Sequence, residues 1–520
     1  MIKTVSLKLK PSEAADDASV KSAIALETGV SSKRITGYNI QKRSIDARSR
    51  QPYIILQVQV FIDEAVQEPV PFNPQLQNVT NTPHIIIIGA GPAGLFAALR
   101  LITLGYKPIV LERGKDVRSR RRDLAAINKQ GVVNPESNYC FGEGGAGTYS
   151  DGKLYTRSTK RGNVQRILEL FVHFGADPDI IIDAHPHIGT NKLPHIITAM
   201  REAIIECGGE IRFDTKLTDL LLERDTIKAV QCADGTTIDC KTVILATGHS
   251  ARDIYTLLHS KQIEIECKPF ALGVRIEHPQ SLIDSIQYHC TVRDEHLPPA
   301  SYSVVEQEYG RGVFSFCMCP GGIIAPAATN PGELVVNGWS PSKRNNPYAN
   351  SGTVVAVNEQ DFANYGFTGP LAGMHYQAMV EQQAFKAGGG KLVAPAQRME
   401  DFAKGKTSTT LPGCSYLPGI HSVNLKDVLP AEVQQALQKA VVDFGKKMKG
   451  YYTNEAVLVA TESRTSSPVR IPRDKETLQH TQIKGLYPCA EGAGYAGGIV
   501  SAAIDGERCA EAAVQAFATL

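Results

Sequence analysis

The spacing of three glycines and one acidic residue is the first feature of this sequence that points to chemistry. Gly89, Gly91 and Gly94 follow four consecutive isoleucines and precede an Ala/Leu-rich segment, and Glu112 ends the next apolar run. In a strand–turn–helix unit, the first glycine permits a tight turn, the second lets the backbone approach a diphosphate, and the third lets helix and strand pack closely. The helix N-terminus then attracts the phosphates. A carboxylate at the position of Glu112 accepts hydrogen bonds from ribose hydroxyls and disfavours a 2′-phosphate, so we expect a nucleotide ending in plain adenosine.

FAD and NAD are both held by this motif, and three later stretches favour FAD. Residues 138–157 form a glycine-rich loop long enough to wrap a second phosphate and the flavin edge, and residues 242–250 read as a strand ending in Ala-Thr-Gly. Residues 485–506 combine a strand, an acid, a glycine loop and a helix start, whose dipole would favour the negative charge of a reduced flavin. The residues predicted to bind non-covalent FAD are Gly89, Gly91, Pro92, Ala93, Gly94, Glu112, Arg113, Gly144, Gly145, Ala146, Gly147, Thr148, Ser150, Asp151, Ala246, Thr247, Gly248, Glu491, Gly492, Gly497, Gly498 and Ile499.

Two cysteines and two arginines are the candidates for chemistry beside the flavin. Cys317 and Cys319 are two residues apart on a predicted strand, so their side chains would share one face. A thiol beside a flavin can act as an acid or a charge-transfer donor, but free cysteines are also common as buried packing residues. Arg464 and Arg470 lie in a turn-like segment, where arginine suits either a bound carboxylate or phosphate or a surface ion pair. No histidines have metal-ligand spacing, so we predict no metal site.

Composition and charge narrow the class of protein. The 55 Lys and Arg residues nearly balance the 53 Asp and Glu residues, so no charge excess attracts nucleic acid or an anionic membrane. No apolar run approaches the roughly 18–20 residues of a transmembrane helix, and the first residues lack the apolar stretch of a signal peptide. The eleven cysteines include no CxxC pair. We expect a cytoplasmic protein with a small-molecule substrate, no nucleic-acid partner and no transmembrane segment; the sequence does not indicate its oligomeric state.

The elements that must position these residues read as an α/β protein with several domains. Alternating apolar residues and one helical stretch predict a small α+β, ferredoxin-like domain at the start, whose segment 42–48 is expected to dock against the nucleotide-binding domain. Beyond a Pro/Asn-rich linker, strands and helices alternate as in a Rossmann-like FAD-binding domain, which is interrupted by a mixed α+β substrate domain richer in Pro, Gly and Asn. The predicted ranges are 1–68 for the N-terminal domain, 69–83 for the linker, 84–250 for the first part of the FAD-binding domain, 251–450 for the inserted domain and 451–520 for the rest of the FAD-binding domain.

These stretches together resemble a known group of proteins. The chain is similar to the flavoproteins related to glutathione reductase and fumarate reductase. More narrowly, it resembles the bacterial family of uncharacterised FAD-dependent dehydrogenases, also labelled NAD-utilising dehydrogenases. The similarity covers nearly the whole chain and is carried by GAGPAGLFAAL, FGEGGAGTYSDGKL, PFALGVRIEHPQSLID, CMCPGG, ESRTSSPVRI and GAGYAGGIVSAAIDG. The resemblance implies FAD binding and a dehydrogenase or reductase activity, but it implies no substrate.

Two departures from the glutathione reductase branch bear on the reaction. No CxxxxC pair follows the first helix of the nucleotide motif, where Cys140 stands alone, and this argues against disulfide reduction. Outside the stretches assigned to FAD, no further GxGxxG marks a separate NAD(P)H-binding domain, so NAD(P)H as a co-substrate would dock transiently in the substrate cleft. We therefore expect a FAD-dependent oxidoreductase. A flavin-dependent monooxygenase and a non-catalytic FAD-bound sensor or assembly protein stay open as alternatives.

Overall fold

The computed structural model describes residues 1–68, 70–156 and 161–517 of the chain. Pro69 of the predicted linker, Arg157 at the end of the predicted loop and the last residues, 518–520, lie outside this range. The strands are β1 (Ile2–Leu9), β2 (Ile35–Asp46), β3 (Tyr53–Ile62), β4 (His84–Ile88), β5 (Lys107–Leu111), β6 (Glu210–Arg212), β7 (Leu217–Glu223), β8 (Thr226–Cys232), β9 (Thr237–Asp239), β10 (Val243–Leu245), β11 (Glu266–Cys267), β12 (Phe270–Pro279), β13 (Val305–Glu308), β14 (Arg311–Cys319), β15 (Ile323–Pro326), β16 (Val336–Trp339), β17 (Tyr348–Val357), β18 (Ala394–Arg398), β19 (Ile420–Ser422), β20 (Val457–Glu462), β21 (Val469–Arg470) and β22 (Leu486–Pro488). The α-helices are α1 (Pro11–Ala14), α2 (Asp17–Thr28), α3 (Pro92–Thr103), α4 (Val117–Gln130), α5 (Val164–His173), α6 (Leu193–Glu206), α7 (Arg252–Ser260), α8 (Gln280–Tyr288), α9 (Glu359–Asn364), α10 (Ala372–Ala387), α11 (Met399–Ala403), α12 (Ala431–Lys447) and α13 (Ile499–Phe517). None of the helices within the described ranges has the length and apolar character needed to cross a membrane.

The N-terminal domain is a three-stranded antiparallel sheet, in the order β1-β3-β2, with α2 packed on it. Helix α2 begins where the Asp16 side chain accepts the backbone N–H of Ser19, and it ends at Gly29, whose φ of 68° favours glycine. The ferredoxin-like prediction was wrong in detail, because the described part of this domain has no fourth strand and no helix after β3. The following segment, rich in Pro and Asn, supplies neither pattern.

Strand β2 docks the N-terminal domain against the nucleotide-binding domain through Arg43. The Arg43 backbone N–H donates to the Ile182 carbonyl at 2.8 Å, and its carbonyl accepts the Ala184 N–H at 2.9 Å. The Arg43 guanidinium pairs with Asp179 at 2.8 Å and with Asp183 at 2.7 Å. The expected docking of segment 42–48 is therefore confirmed.

A five-stranded parallel sheet, in the order β22-β10-β4-β5-β6, forms the nucleotide-binding domain. The prediction of an α/β protein built on a parallel sheet is confirmed. Helix α3 packs closely on the strand before it because Gly94 has no side chain: a Cβ there would lie 1.9 Å from the Gly89 carbonyl oxygen. Helix α13 approaches α3 equally closely, since a Cβ on Gly506 would lie 2.1 Å from the Ala93 carbonyl oxygen. In such sheets ligands bind beyond the carboxyl ends of the strands.

The inserted domain is built on a seven-stranded sheet in the order β13-β14-β17-β12-β20-β18-β19, with α12 packed against it. Strand β20 lies within this sheet, so the predicted boundary at residue 450 was placed too early. Helix α7 instead packs with strands β4 and β5, so the boundary at residue 251 was also too early. Both boundaries were predicted from a change in Pro, Gly and Asn content. Such a change marks loops, but it does not show to which domain a neighbouring strand or helix belongs.

Candidate functional site

A cavity of about 380 Å³ runs along the carboxyl ends of β4, β5 and β10 and reaches strand β14 of the inserted domain. Its size is within the range of about 300–1,000 Å³ of small-molecule sites. The predicted residues that line it are Gly89, Gly91, Pro92, Ala93, Glu112, Arg113, Gly145, Ala146, Gly147, Ser150, Asp151, Ala246, Thr247, Gly248, Cys317, Arg464, Glu491, Gly497, Gly498 and Ile499. The predicted residues that are not part of the lining are Gly94, Gly144, Thr148, Cys319, Arg470 and Gly492.

The first two glycines of the motif shape one end of this cavity. Gly89 has a φ of 102°, and a Cβ there would lie 2.5 Å from the Ala246 carbonyl oxygen. A Cβ on Gly91 would meet nothing nearer than the Cα of Gly145, at 4.0 Å. Bare backbone therefore borders the cavity where α3 begins, and the first N–H groups of a helix have no acceptor within the helix. This arrangement suits an anionic group.

Glu112 joins the loops around the same end of the cavity. Its side chain is 4% exposed, and its carboxylate accepts backbone N–H groups from Ala90 at 2.8 Å, Gly114 at 2.8 Å and Gly142 at 2.9 Å. Because each carboxylate oxygen has two lone pairs, Oε2, which accepts only the Ala90 N–H of these three, keeps capacity for a ligand hydroxyl. The structure thus gives Glu112 a second task, holding three loops, that the sequence did not indicate.

Arg113 lies beside Glu112 in the cavity wall. Its guanidinium pairs with Glu136 at 2.6 Å and Asp253 at 2.8 Å, and it lies 4.2 Å from the centre of the Phe141 ring. These contacts hold a flat cation against the part of the cavity where an adenosine was expected.

Arg120, a residue that sequence reasoning missed, organises the glycine-rich loop from behind. It is completely buried, and it donates to the carbonyls of Asn138 at 2.7 Å, Glu143 at 2.9 Å and Gly145 at 2.9 Å. Burial lowers the pKa of Arg120, because no carboxylate pairs with it among the residues described. Three loop carbonyls therefore point towards Arg120 and away from the cavity.

Glu491 and Thr247 border the cavity near the start of α13. The Gly498 N–H donates to Glu491 Oε1, and His249 Nε2 lies 3.6 Å from Glu491 Oε2. The Thr247 hydroxyl is buried and has no hydrogen-bond partner within the described part of the chain. A Cβ on Gly497 or Gly498 would meet no atom within 4 Å. Open space beside bare backbone and an unpaired buried hydroxyl fit a bound polar cofactor such as FAD.

The far end of the cavity is formed by Phe316 and Cys317 of β14, with Lys153 opposite. Strand β14 has one extra residue between Phe316 and Cys319 relative to β17, and Cys317 has a φ of 45°. Lys153 Nζ lies 3.9 Å from Cys317 Sγ and 3.8 Å from Cys319 Sγ. The Cys319 thiol, which donates to the Cys317 carbonyl at 3.3 Å, and the Lys153 ammonium hold the pKa of Cys317 well below its usual range, while the pKa of Cys319 is raised. Both sulfurs lie near Lys153, although Cys319 is buried behind the cavity wall.

The two candidate arginines have different surroundings. Arg464 lines the cavity, but its guanidinium is bound by Glu381 at 3.0 Å and by Thr329 at 2.8 Å. Arg252 binds Glu381 as well, at 2.8 Å. Burial opposes ionisation of Glu381, but the two arginines prevail and lower its pKa to about 2. Arg464 is thus a wall residue with its charge already paired. Arg470 lies outside the cavity lining: its side chain is 45% exposed and 4.0 Å from Glu266, so the structure does not bring this predicted residue to the site.

Three potential metal ligands also come together elsewhere, although the sequence showed no metal-binding pattern. Atoms of Cys489, Asp505 and Cys509 lie within 4.8 Å of one another and are buried. Arg473, however, donates to both oxygens of the Asp505 carboxylate, at 2.7 and 2.9 Å. The carboxylate is therefore already neutralised by a cation, and this cluster gives no reason to assign a metal.

Comparison with known proteins agrees with this division of the chain. Residues 269–465, which span the seven-stranded sheet, match the family model "FAD-dependent protein, C-terminal domain-like". Residues 1–61 match a "Domain of unknown function (DUF8436)". An "Uncharacterized protein" of Clostridium beijerinckii is 40% identical over 524 residues, which cover 96% of this chain and 97% of that protein.

More distant similarities cover parts of the chain or have low structural scores. A thiamine thiazole synthase of Aeropyrum pernix is 26% identical over 182 residues, covering 32% of this chain and 55% of that protein. The crystal structure of a glycine oxidase from Bacillus cereus aligns with a TM-score of 0.31 at 13% identity, covering 84% of this chain and 95% of that one. The family of this chain is therefore assigned from the sequence matches. The chain belongs to the same family as the Clostridium beijerinckii protein, and its residues 269–465 match a domain of FAD-dependent proteins.

Proposed function

We propose that this protein is a FAD-dependent oxidoreductase, a dehydrogenase or reductase, that transfers a hydride or an electron pair to or from a small molecule. The observation that carries the proposal is the continuity of the cavity. It runs from the glycine motif and Glu112, past the loop at 145–151, to Cys317 and Arg464. An extended dinucleotide bound along it would have its adenosine at one end and its flavin beside the inserted domain.

Each part of the cavity wall has a proposed task in holding FAD. The N-terminus of α3 would bind the diphosphate, and Glu112 would accept hydrogen bonds from the adenosine ribose. Glu491 would bind the ribityl chain, and the N-terminus of α13 at Ile499 would favour negative charge on the reduced ring. When bound, FAD supplies the hydride chemistry itself. The chain's own residues position it and exclude water from it.

An anaerobic titration tests this proposal and identifies the electron donor. The purified protein is expected to be yellow, or to become so on addition of FAD, and the flavin absorbance is followed as NADH or NADPH is added. Rapid bleaching by one nucleotide would identify a nicotinamide-linked enzyme in which that nucleotide docks transiently. Bleaching by dithionite alone would direct the search to organic substrates that reduce the flavin directly. A protein that stays colourless after incubation with excess FAD would refute the proposal.

A further inference from the structure

We propose that Cys317 and Cys319 form a redox-active dithiol, held by Lys153 at the end of the cavity, that exchanges an electron pair with bound flavin. This inference rests on the proposed function, because the flavin is the partner in the exchange. It assigns the dithiol to the sheet of the inserted domain, far along the chain from the first helix of the nucleotide motif.

The backbone of β14 supports this assignment. A regular strand would place Cys317 in the register of the sheet, but the extra residue between Phe316 and Cys319 turns this segment out of register. Cys317 adopts a left-handed φ of 45°, which is unusual for a residue other than glycine. The Cys317 carbonyl accepts a hydrogen bond from the buried Arg275 at 3.1 Å. The protein thus holds an uncommon backbone conformation at the point where a sulfur borders the cavity.

Lys153 places one positive charge close to both sulfur atoms. Its Nζ donates to the Met318 carbonyl, between the two cysteines, and lies 3.9 and 3.8 Å from the two sulfur atoms. Packing alone would give no reason to direct two thiols at an ammonium group. Cys317 is partly exposed in the cavity and Cys319 is completely buried, so one thiol can meet a ligand while the other lies behind it.

The charged side chains around Cys317 and Cys319 have a net positive charge that one thiolate would neutralise. Asp151 lies 3.5 Å from Lys153 and 2.8 Å from Arg344, and Glu462 lies 2.9 Å from Arg275. Even with both carboxylates ionised, these three cations exceed the anions by one charge. A thiolate at Cys317 would balance the cluster, and its lowered pKa agrees with this. Thiolates, rather than thiols, carry out exchange chemistry.

The electron transfer balances with the flavin as oxidant. The Cys317 thiolate and the Cys319 thiol join through a new S–S bond, and they lose two electrons together with the Cys319 proton. Oxidised FAD takes both electrons and that proton and becomes the singly protonated reduced flavin. One negative charge moves from Cys317 to the flavin, and the reverse reaction reduces the disulfide.

A reductive titration tests the proposal on the holoenzyme. The FAD-loaded protein is oxidised with ferricyanide, desalted and titrated anaerobically with dithionite. Wild type is expected to take up two electron pairs per flavin, and Cys317→Ser and Cys319→Ser only one. The matched control is Cys290→Ser, a partly buried cysteine of the same domain outside the cavity lining, which should behave as wild type. Uptake of one pair by wild type, or of two by Cys317→Ser, would overturn the dithiol.

Thiol reactivity gives a second readout that does not depend on these variants. At pH 6.5, Cys317 of the wild type should react with iodoacetamide about 10-fold faster than Cys290, since an ordinary thiol is then only about 1% ionised. Mass spectrometry of oxidised protein should find the peptide holding Cys317 and Cys319 two hydrogens lighter and unalkylated. Lys153→Met should remove the rate difference. Equal alkylation rates for Cys317 and Cys290, with both peptide thiols free after oxidation, would refute the dithiol even if FAD binds. Protein without flavin absorbance would instead refute the proposed function, and the dithiol exchange with it.

Discussion

Gly91 and Gly94 lie in one motif but have different surroundings, so substitutions there should separate FAD binding from folding. Gly91 has a φ of −75° and a ψ of −176°, an extended conformation open to any residue and compatible with the following proline. A Cβ there would meet no atom nearer than 4.0 Å. The side chain of Gly91→Val should therefore fit the protein and occupy the space in front of the α3 N-terminus. Loss of one charged hydrogen bond to a phosphate costs about 2 kcal/mol, which raises the Kd for FAD about 30-fold.

Gly94→Ala should act on the fold instead. Its Cβ would lie 1.9 Å from the Gly89 carbonyl oxygen and 3.4 Å from the Ile87 side chain, so α3 must move away from the loop. Overpacking of this kind costs about 1–3 kcal/mol. The free energy of unfolding of the apoprotein should therefore fall by about that amount in Gly94→Ala, and hardly at all in Gly91→Val.

Two measurements on flavin-free protein separate the two effects. Quenching of flavin fluorescence gives the Kd, and urea unfolding followed by circular dichroism gives the midpoint. We expect Gly91→Val to raise the Kd and keep the wild-type midpoint, and Gly94→Ala to lower the midpoint. A wild-type Kd in Gly91→Val would refute the location of the phosphate site. An equally lowered midpoint in both variants would refute the argument from their different surroundings.

Three further predictions concern other contacts of the fold. Glu381→Gln leaves the buried Arg464 and the partly buried Arg252 with Glu333 as their shared carboxylate and should lower the free energy of unfolding by about 1–3 kcal/mol; an unchanged urea midpoint would contradict the described network. Arg43→Met removes only partly exposed ion pairs, so it should lower the free energy of unfolding by less than about 1 kcal/mol. It should also speed proteolysis of segment 70–83, because the N-terminal domain is then held less firmly. Cleavage at the wild-type rate would show that the backbone hydrogen bonds of residue 43 suffice for docking. Burial lowers the pKa of His278 to about 4, so the folded protein binds fewer protons than the unfolded chain between that value and the ordinary value of about 6.5. The free energy of unfolding should therefore fall as the pH drops from about 6.5 to about 4, and His278→Gln should flatten this slope in urea unfolding at a series of pH values; an unchanged slope would show that other groups cause it.

The nucleotide motif and the N-terminal strands could be predicted because their signals are local. Alternation of apolar residues predicted the strands of the small α+β domain, in which the structure has β1, β2 and β3. Gly94 is constrained from within the motif, since a Cβ there would lie 1.9 Å from the Gly89 carbonyl oxygen.

Contacts between distant segments could not be predicted from the sequence. Lys153 reaches Cys319 across 166 residues, so its part in the cluster depends on how the inserted sheet packs over the glycine-rich loop. Arg464 and Arg470 looked equivalent in one polar segment, yet the fold buries the first against Glu381 and leaves the second exposed. The packing of helix α10, which carries Glu381, against Arg464 is what places the two in different surroundings.

The position of β22 next to β10 in the nucleotide-binding sheet has a consequence for synthesis on the ribosome. The ribosome makes β22 and α13 roughly 400 residues after β4, although α13 packs directly on α3. At a synthesis rate of about 5–20 residues per second, the nascent chain waits about 20–80 s with that face of α3 uncovered. Capture of the flavin nucleotide would then be a late event, and the emerging chain would need protection from aggregation until α13 has been made.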